Sequence, residues 1–554
     1  MRRLSFMIIV LTVVCSVLYG QPAQVKNVAK SVFTLTTFKA DGSLLASSHG
    51  VFVGNNGEAI SSLTPFVGAA KAVVVDAKGN KMNVVRMIGG NSIYDVAKFK
   101  VDGNTVPAKI ASSAATAGSQ TWLVPYSIKS PSVKSATVRN IESFMDKYSY
   151  YIFTLDASDN TAACPFVNSA GEVIGLLEHS ATSNDIHATD ARYVYDLKTT
   201  AFSLNEDIFR KIGIPMALPV DKEQAVLALM ISGQTGDSIK YDAVINDFLK
   251  AYPNSLDGYV AKAQMAVAGN RFDEAASSME TAIKCVPEKD DAHFNYSKII
   301  YNKELSSPVA YTPWSLDKAL EEADKAYEIK ALPVYEHQKA LIRFAKGEYE
   351  QAYNIFMALL ETNLRNPELF YEAARCKQML KAPNGEIIAL LDSAVNNTDT
   401  LRIVEAAPYF LTRADVYAAE GNYRQAVFDY TRYEILKGRQ VNADFYYVRE
   451  QAEVKAKLFK QALVDINMAV LLAPKEPTYI AEKASLELRV NMPDKALVSA
   501  QHCIELAPEY SDGYLLLGLA QVQQGKTKEG MENMKKAHDL GNAQAQTFIE
   551  KYSK

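Results

Sequence analysis

Small residues recur at a fixed interval over residues 443–544, and that interval limits the fold more than any other feature of the chain. Ala462, Ala496 and Gly530 lie 34 residues apart; Glu450, Ala484 and Gly518 keep the same spacing, as do Pro474 and Pro508. A period of this length marks a pair of antiparallel helices. Two helices approach closely only where their side chains are small. A proline ends the second helix because it cannot donate the next hydrogen bond. One pair cannot cover its own apolar face, so neighbouring pairs must stack.

Further copies follow the same pattern. Tyr259, Ala263, Ala275, Met279, Ala282 and Pro287 mark one, and Phe248 with Pro253 closes an earlier, weaker one. Ala340, Gly347, Tyr349, Ala352 and Phe356 mark another, and Ala414, Tyr417, Gly421, Tyr423, Ala426 and Tyr430 one more. Ala319 and Ala326 belong to a second helix whose first helix is displaced by an insertion at 303–315. Residues 367–400, with Ala373, Ile387 and Ala394, are the least regular copy. The total is about eight or nine pairs.

These residues resemble the tetratricopeptide (TPR) family. One copy reads Tyr446, Phe459, Ala462, Ala469 and Pro474; the next reads Ala484, Ala496, Cys503 and Pro508; the last reads Tyr514, Leu517, Gly518, Met534 and Ala537. The resemblance implies an all-α superhelical solenoid over residues 222–554, with a concave groove built by the first helix of each pair. It places Tyr447, Lys455, Arg489, Leu515 and Leu519 on that groove as the expected partner-binding strip. Tyrosine and arginine carry much of the energy of protein interfaces, and leucine adds apolar contact. The expected partner is a protein or peptide segment. The Lys and Asn clusters with which some TPR proteins clamp an acidic carboxyl terminus have no counterpart here.

Residues 24–203 have a different character. Short β-rich runs alternate with the turns Asn55-Asn56-Gly57, Lys78-Gly79-Asn80 and Ser169-Ala170-Gly171. Strands are expected at 32–38, 50–53, 72–75, 84–88, 96–101, 121–124, 151–155, 173–177 and 193–195. Many short strands with such turns point to a closed or sandwiched all-β domain. The landmarks resemble the trypsin-like, HtrA-type serine proteases of the bacterial envelope, which have a double β-barrel. Gly50-Val51-Phe52-Val53 looks like their first core strand, and Gly57 to Thr64 like the strand into the catalytic histidine. Tyr94-Asp95-Val96-Ala97 looks like the strand of the catalytic aspartate. Asp156-Ala157, Pro165 to Asn168 and Gly171 to Gly175 look like the surroundings of the nucleophile.

The chemistry departs from that family. Its mechanism needs a nucleophile, an imidazole to take the proton and a carboxylate to orient the imidazole. Only the carboxylate, Asp95, matches. Thr64 stands at the histidine position and Ala162 at the nucleophile position, so the triad is degenerate. A revived dyad would have to use Cys164 with His49 or His179. The two readings are therefore a non-catalytic interaction protein and, as the alternative, an active envelope endopeptidase with TPR targeting repeats. A purely structural scaffold is a third.

The remaining features bound the setting. Arg2 and Arg3 precede an apolar run from Phe6 to Val14, the pattern of an export signal, with cleavage expected after Gly20. The run is shorter than the roughly 20 residues that span a bilayer. No other segment could span one, so the mature chain is expected to have no transmembrane segment, in the periplasm or cell envelope. Cys15 raises lipoprotein anchoring, but Val14 stands before it where a small residue is expected. Lys and Arg number 59 against 63 Asp and Glu, a net charge of −4, which gives no electrostatic case for nucleic acid. Cys164, Cys285, Cys376 and Cys503 are scattered, as are the seven His, so neither a disulfide framework nor a metal site is expected, and no cofactor. Residues 204–221, with Gly213, Pro215 and Pro219, read as a linker.

Overall fold

The computed structural model describes residues 22–129, 132–155, 161–179, 185–203 and 206–553. The expected export signal, Gln21, the Asp156-Ala157 landmark and Leu204 lie outside those residues. The chain divides into two compact units, one ending at Glu288 and the other beginning at Lys289.

The first unit opens with twelve strands: β1 (Val32–Phe38), β2 (Leu44–Phe52), β3 (Glu58–Ser61), β4 (Lys71–Val75), β5 (Lys81–Asn91), β6 (Val96–Val101), β7 (Gln120–Leu123), β8 (Lys134–Phe144), β9 (Tyr148–Thr154), β10 (Pro165–Val167), β11 (Val173–His179) and β12 (Ile186–Asp190). They close into two antiparallel barrels, β1-β2-β3-β6-β5-β4 and β7-β8-β9-β12-β11-β10. The second barrel repeats the strand order of the first. This is the double barrel expected from the sequence.

Aromatic side chains fill both barrels. Phe33 lies 4.6 Å from Phe52 and 5.9 Å from Phe99, ring centre to ring centre. Gly50 makes room for that cluster, since a Cβ there would sit 2.4 Å from the Phe33 ring and 2.3 Å from the Ile60 carbonyl. In the second barrel Phe153 stacks on Phe166 at 3.9 Å. The expected turns hold: Gly57, Gly79 and Gly171 all adopt positive φ.

One expected strand needs correction, and β8, β10 and β12 were not among the expected strands. Residues 193–195 are not a strand but lie in the 3-10 turn Ala191–Tyr195, which follows β12. The side chain of Asp190 accepts the Arg192 amide and caps that turn, so the local hydrogen bond wins over the β-propensity of Tyr193 and Val194. Strand β8 escapes a hydrophobicity reading because it is largely exposed and carries Lys134, Arg139 and Glu142.

The stretch expected as a linker is strapped to the first barrel. The amide of Met87 donates to Pro215 and that of Ala217 to Met87. Phe209, Ile212 and Ile214 are buried in the first barrel's core. Helix α1 (Ala23–Asn27) precedes the barrels and α2 (Asp207–Arg210) lies in this strap. Then come α3 (Lys222–Gly233), α4 (Ser238–Ala251), α5 (Leu256–Ala268) and α6 (Phe272–Cys285). Arg86 of β5 pairs with Asp247 of α4 at 2.6 Å.

The second unit is helical among its described residues. It comprises α7 (Lys289–Ser306), α8 (Leu316–Ile329), α9 (Pro333–Ala345), α10 (Tyr349–Leu359), α11 (Pro367–Met379), α12 (Asn384–Asn396), α13 (Ala407–Ala419) and α14 (Tyr423–Leu436). It continues with α15 (Ala443–Lys455), α16 (Phe459–Leu472), α17 (Pro477–Arg489), α18 (Pro493–Leu506), α19 (Ser511–Gln523), α20 (Thr527–Asp539) and α21 (Ala545–Tyr552). Ala462, Ala484 and Ala496 are fully buried where helices meet. The turn after each first helix uses a left-handed residue at the same period: Lys457 (φ 63°), Asn491 (φ 62°) and Gly525 (φ 82°).

Two arginines, Arg449 buried and Arg413 mostly so, tie neighbouring pairs together. Arg413 of α13 grips Asp429 of α14 at 2.7 and 2.9 Å and reaches Asp392 of α12 at 2.6 Å. Arg449 of α15 repeats the arrangement, with Asp465 of α16 at 2.6 and 2.9 Å and Glu434 of α14 at 2.7 Å. Planar guanidinium donors suit such a fork.

Helices α19 and α20 cross closely at two glycines. A Cβ on Gly518 would lie 2.6 Å from the Gly530 carbonyl and 2.9 Å from Met534. Gly518→Ala is therefore expected to force the two helices apart and lower stability by about 1–3 kcal/mol, read as a shifted urea midpoint. An unchanged midpoint would show that the crossing yields freely.

Candidate functional site

The residues singled out in the sequence lie in two regions: the cleft between the barrels and the face of the helical array carrying residues of α15, α17 and α19.

In the cleft, Thr64 and Asp95 do meet. The Thr64 amide and hydroxyl both donate to Asp95 Oδ1, at 2.7 and 2.8 Å. Asp95 adopts φ 41°, which turns its side chain back to the start of the 3-10 turn Thr64–Phe66. The carboxylate thus holds a hydroxyl, which cannot act as a base near neutral pH. Ala162 supplies no nucleophile. Its carbonyl accepts the His49 amide at 3.2 Å and the Ser48 hydroxyl at 3.4 Å, which fixes this segment against β2.

The alternative dyad is not assembled. Cys164 is fully buried in the second barrel's core, and burial pushes its thiol up to about 12. Its amide is committed to the Thr161 carbonyl at 3.0 Å. Nδ1 of His49 and Nε2 of His179 are buried without a hydrogen-bond partner. Burial holds the His49 imidazole below its ordinary value, with the Ala162 carbonyl opposing.

The cleft does contain a cluster that the sequence did not announce. Tyr150 Oη donates to Glu178 Oε2 at 3.0 Å and lies 3.0 Å from His187 Nδ1. Burial, then the proximity of Glu178, raises the Tyr150 phenol. Burial also raises the Glu178 carboxyl, and Asp95 adds to the rise. Only the pairing of β9 with β12 and of β11 with β12 brings these three together. The three side chains form a hydrogen-bonded cluster.

On the helical face, Tyr447 is half-buried and its ring lies 5.0 Å from that of Tyr479. Lys455 and Arg489 are exposed. Leu519 is half-buried, and Leu515, only 5% exposed, packs with Met534, Ala537 and Ala545. Leu515 thus shapes the wall of this face from behind.

Beneath the same face lie two carboxyls with unfilled bonding capacity. Glu450 is 0% exposed; one oxygen accepts from Gln451 at 2.7 Å and Oε1 has no partner. Glu453 is also buried, with Oε2 unpartnered. Burial first, and Glu482 next, raises Glu450 to about 8. Burial first, and Asp465 next, raises Glu453 to about 8. Among the described residues no group of acidic, His and Cys side chains could hold a metal ion, and no helix is long and apolar enough to cross a membrane.

No family profile matches the chain. It is 27% identical over 114 residues to the small glutamine-rich tetratricopeptide repeat-containing protein 2 of Saccharomyces cerevisiae, covering 18% of this chain and 33% of that protein. It is 30% identical over 89 residues to the serine/threonine-protein phosphatase T of Trypanosoma brucei brucei, covering 16% of this chain and 19% of that protein. The chain therefore spans a third or less of the length of these relatives. Among solved structures, the Rv3671c protease in its inactive form matches at 15% identity and a TM-score of 0.26, covering 32% of this chain and 90% of that one.

The two raised carboxyls make stability depend on pH. Their folded values of about 8 exceed the ordinary 4.5, so between these values the folded chain keeps protons that the unfolded chain has lost. Their contribution is full below 4.5 and disappears as pH rises through 8. Glu450→Gln cannot ionise, so the second unit's denaturation midpoint should fall less steeply with pH across this window. A slope identical to that of the unaltered chain would show that Glu450 does not titrate there.

Proposed function

We propose that the chain is an exported interaction protein whose helical array binds a protein segment and whose double barrel is not catalytic. The observation that carries this reading is the cleft: Asp95 is occupied by Thr64, and Ala162 stands where a nucleophile is required. The likeness to a tetratricopeptide repeat-containing protein supports partner binding by the helices. Tyr447 and Arg489, on the face of α15 and α17, are the residues proposed to anchor the segment. The mature chain is proposed to begin at Gln21, in the periplasm or attached to the envelope.

The competing reading is a peptidase acting through Cys164. Its thiol is enclosed and held protonated at neutral pH, which leaves little thiolate to attack a carbonyl. The purified chain is expected to show no peptidase activity above background and no labelling by a serine-directed fluorophosphonate. Activity that vanishes in Cys164→Ala would reverse the assignment.

Partner binding is tested on the helical face. Tyr447→Ala combined with Arg489→Ala is expected to weaken capture of the envelope partner by a few kcal/mol if both are central anchors. Melting should fall only modestly: neither residue occupies a small-residue helix contact, although the Tyr447 ring packs on Tyr479. Normal affinity in the double variant would move the binding surface away from this face.

A further inference from the structure

We propose that a cavity between the strap and α4 binds a small amphipathic anion, with an apolar body inside and a carboxylate as its head group. The site belongs to the first unit alone and does not depend on the groove of the helical face.

The cavity has a volume of about 360 Å3 and is lined only by residues of the first unit. Its apolar walls come from two elements. Ile212, Ile214, Pro215 and Met216 belong to the strap, and Tyr241 and Val244 to α4. Both elements are anchored on β5. The Met87 amide donates to the Pro215 carbonyl at 2.9 Å, and the Ala217 amide donates to the Met87 carbonyl at 2.7 Å. Arg86 of the same strand holds Asp247 of α4 at 2.6 Å. The fold itself therefore sets the distance between the walls.

Ligand sites are concave spaces of roughly 300–1,000 Å3, mostly apolar, with a few polar groups that fix orientation. Size and lining here match that description. Water gains little from walls of carbon, and an apolar body that displaces poorly held water gains affinity.

The charged groups decide the head group. Arg86, Arg210 and Lys240 line the cavity against Asp237 and Asp247. Both carboxylates are engaged. Asp247 accepts from Arg86, and Asp237 caps α4 by accepting the Lys240 amide at 3.0 Å. Arg210 pairs with Asp207, which is exposed and does not line the cavity. Lys240 is the cation left with weak contacts. Its Nζ lies 3.4 Å from the Arg210 carbonyl and 3.9 Å from Asp237. A carboxylate would give this ammonium the close, charge-assisted bond that it lacks. An ammonium head group would find both lining carboxylates already engaged and three cations around it.

A molecule seated there touches the strap and α4 together. Occupancy should therefore slow the opening of both segments.

The test uses the full-length mature chain with octanoate, octanol and octylamine, which share one chain and differ in head group. Titration calorimetry is expected to show saturable octanoate binding, at least about tenfold tighter than either of the others. Hydrogen exchange should slow in the strap and in α4 when octanoate is added. Val244→Phe, which fills the space, should abolish binding while the melting curve stays cooperative. Lys240→Ala should weaken octanoate about tenfold and leave the weaker octanol binding unchanged. Lys240 is exposed, so this second variant tests the head group even if Val244→Phe folds poorly. Octanol or octylamine binding as tightly as octanoate overturns the anionic head group, as does an octanoate affinity unchanged in Lys240→Ala. Binding retained in a folded Val244→Phe, or exchange slowed only outside the strap and α4, overturns the cavity as the site. Absence of saturable octanoate binding overturns the whole proposal.

Discussion

Close approach of helix to helix, permitted by small side chains, is the constraint on which the helical unit depends. Ala462, Ala484 and Ala496 are fully buried, and Gly518 and Gly530 leave no space for even one added methyl group. These contacts set the spacing of neighbouring helices. That spacing in turn fixes which residues of α15, α17 and α19 share a face, and so which side chains a partner could touch. Burial is non-directional, so it does not by itself choose a register. The arginine forks do: Arg413 and Arg449 each grip an aspartate in their own pair and an acid in the pair before. A pair sliding along its neighbour would strand a buried charge, which is far more costly than losing apolar contact.

The barrels illustrate a different logic. Two closed sheets with the same strand order bring loops from each half to a shared cleft. Thr64 satisfies Asp95 so that the carboxylate is not left bare, and the Ala162 carbonyl ties the nucleophile segment to β2. Hydrogen bonds hold both segments of the cleft in place. Tyr150, Glu178 and His187 form a further hydrogen-bonded cluster there.

Most of this architecture was legible in the residues because it is periodic. The spacing of Ala462, Ala496 and Gly530 located α16, α18 and α20, and β1 and β6 matched the runs of β-branched and aromatic residues. The exposed, charged β8 was missed because its inward side chains are too few to stand out, and Tyr193 and Val194 misled because a cap decides their conformation. At the site, the sequence placed Thr64 and Asp95 on neighbouring landmarks, and the two side chains do meet. The unpartnered carboxyls of the helical unit could not be read in this way. Glu450 stands in the same column as Ala484 and Gly518, which marks it as facing a helix contact, but its unpartnered oxygen depends on what Glu482 and Asp465 do in three dimensions. Leu515 shows the converse: its column suggests a surface, yet α20 and α21 cover it.

The paired arginine forks also bear on how the array comes apart. Asp392 and Asp429 are joined through Arg413, and Glu434 and Asp465 through Arg449, so the forks overlap on α14. Peeling helices from the carboxyl end breaks hydrogen bonds such as those of Asn542 with Asp512 and Ser499 with Glu487 before it reaches α16, where the first arginine fork must open. From there back to α12 each rupture exposes a charge that the next helix still holds. The stretch α12–α16 should therefore behave as one stiff link under tension, with the terminal helices as a softer spring, so that pulling on a bound segment extends the end of the array before it loosens the middle.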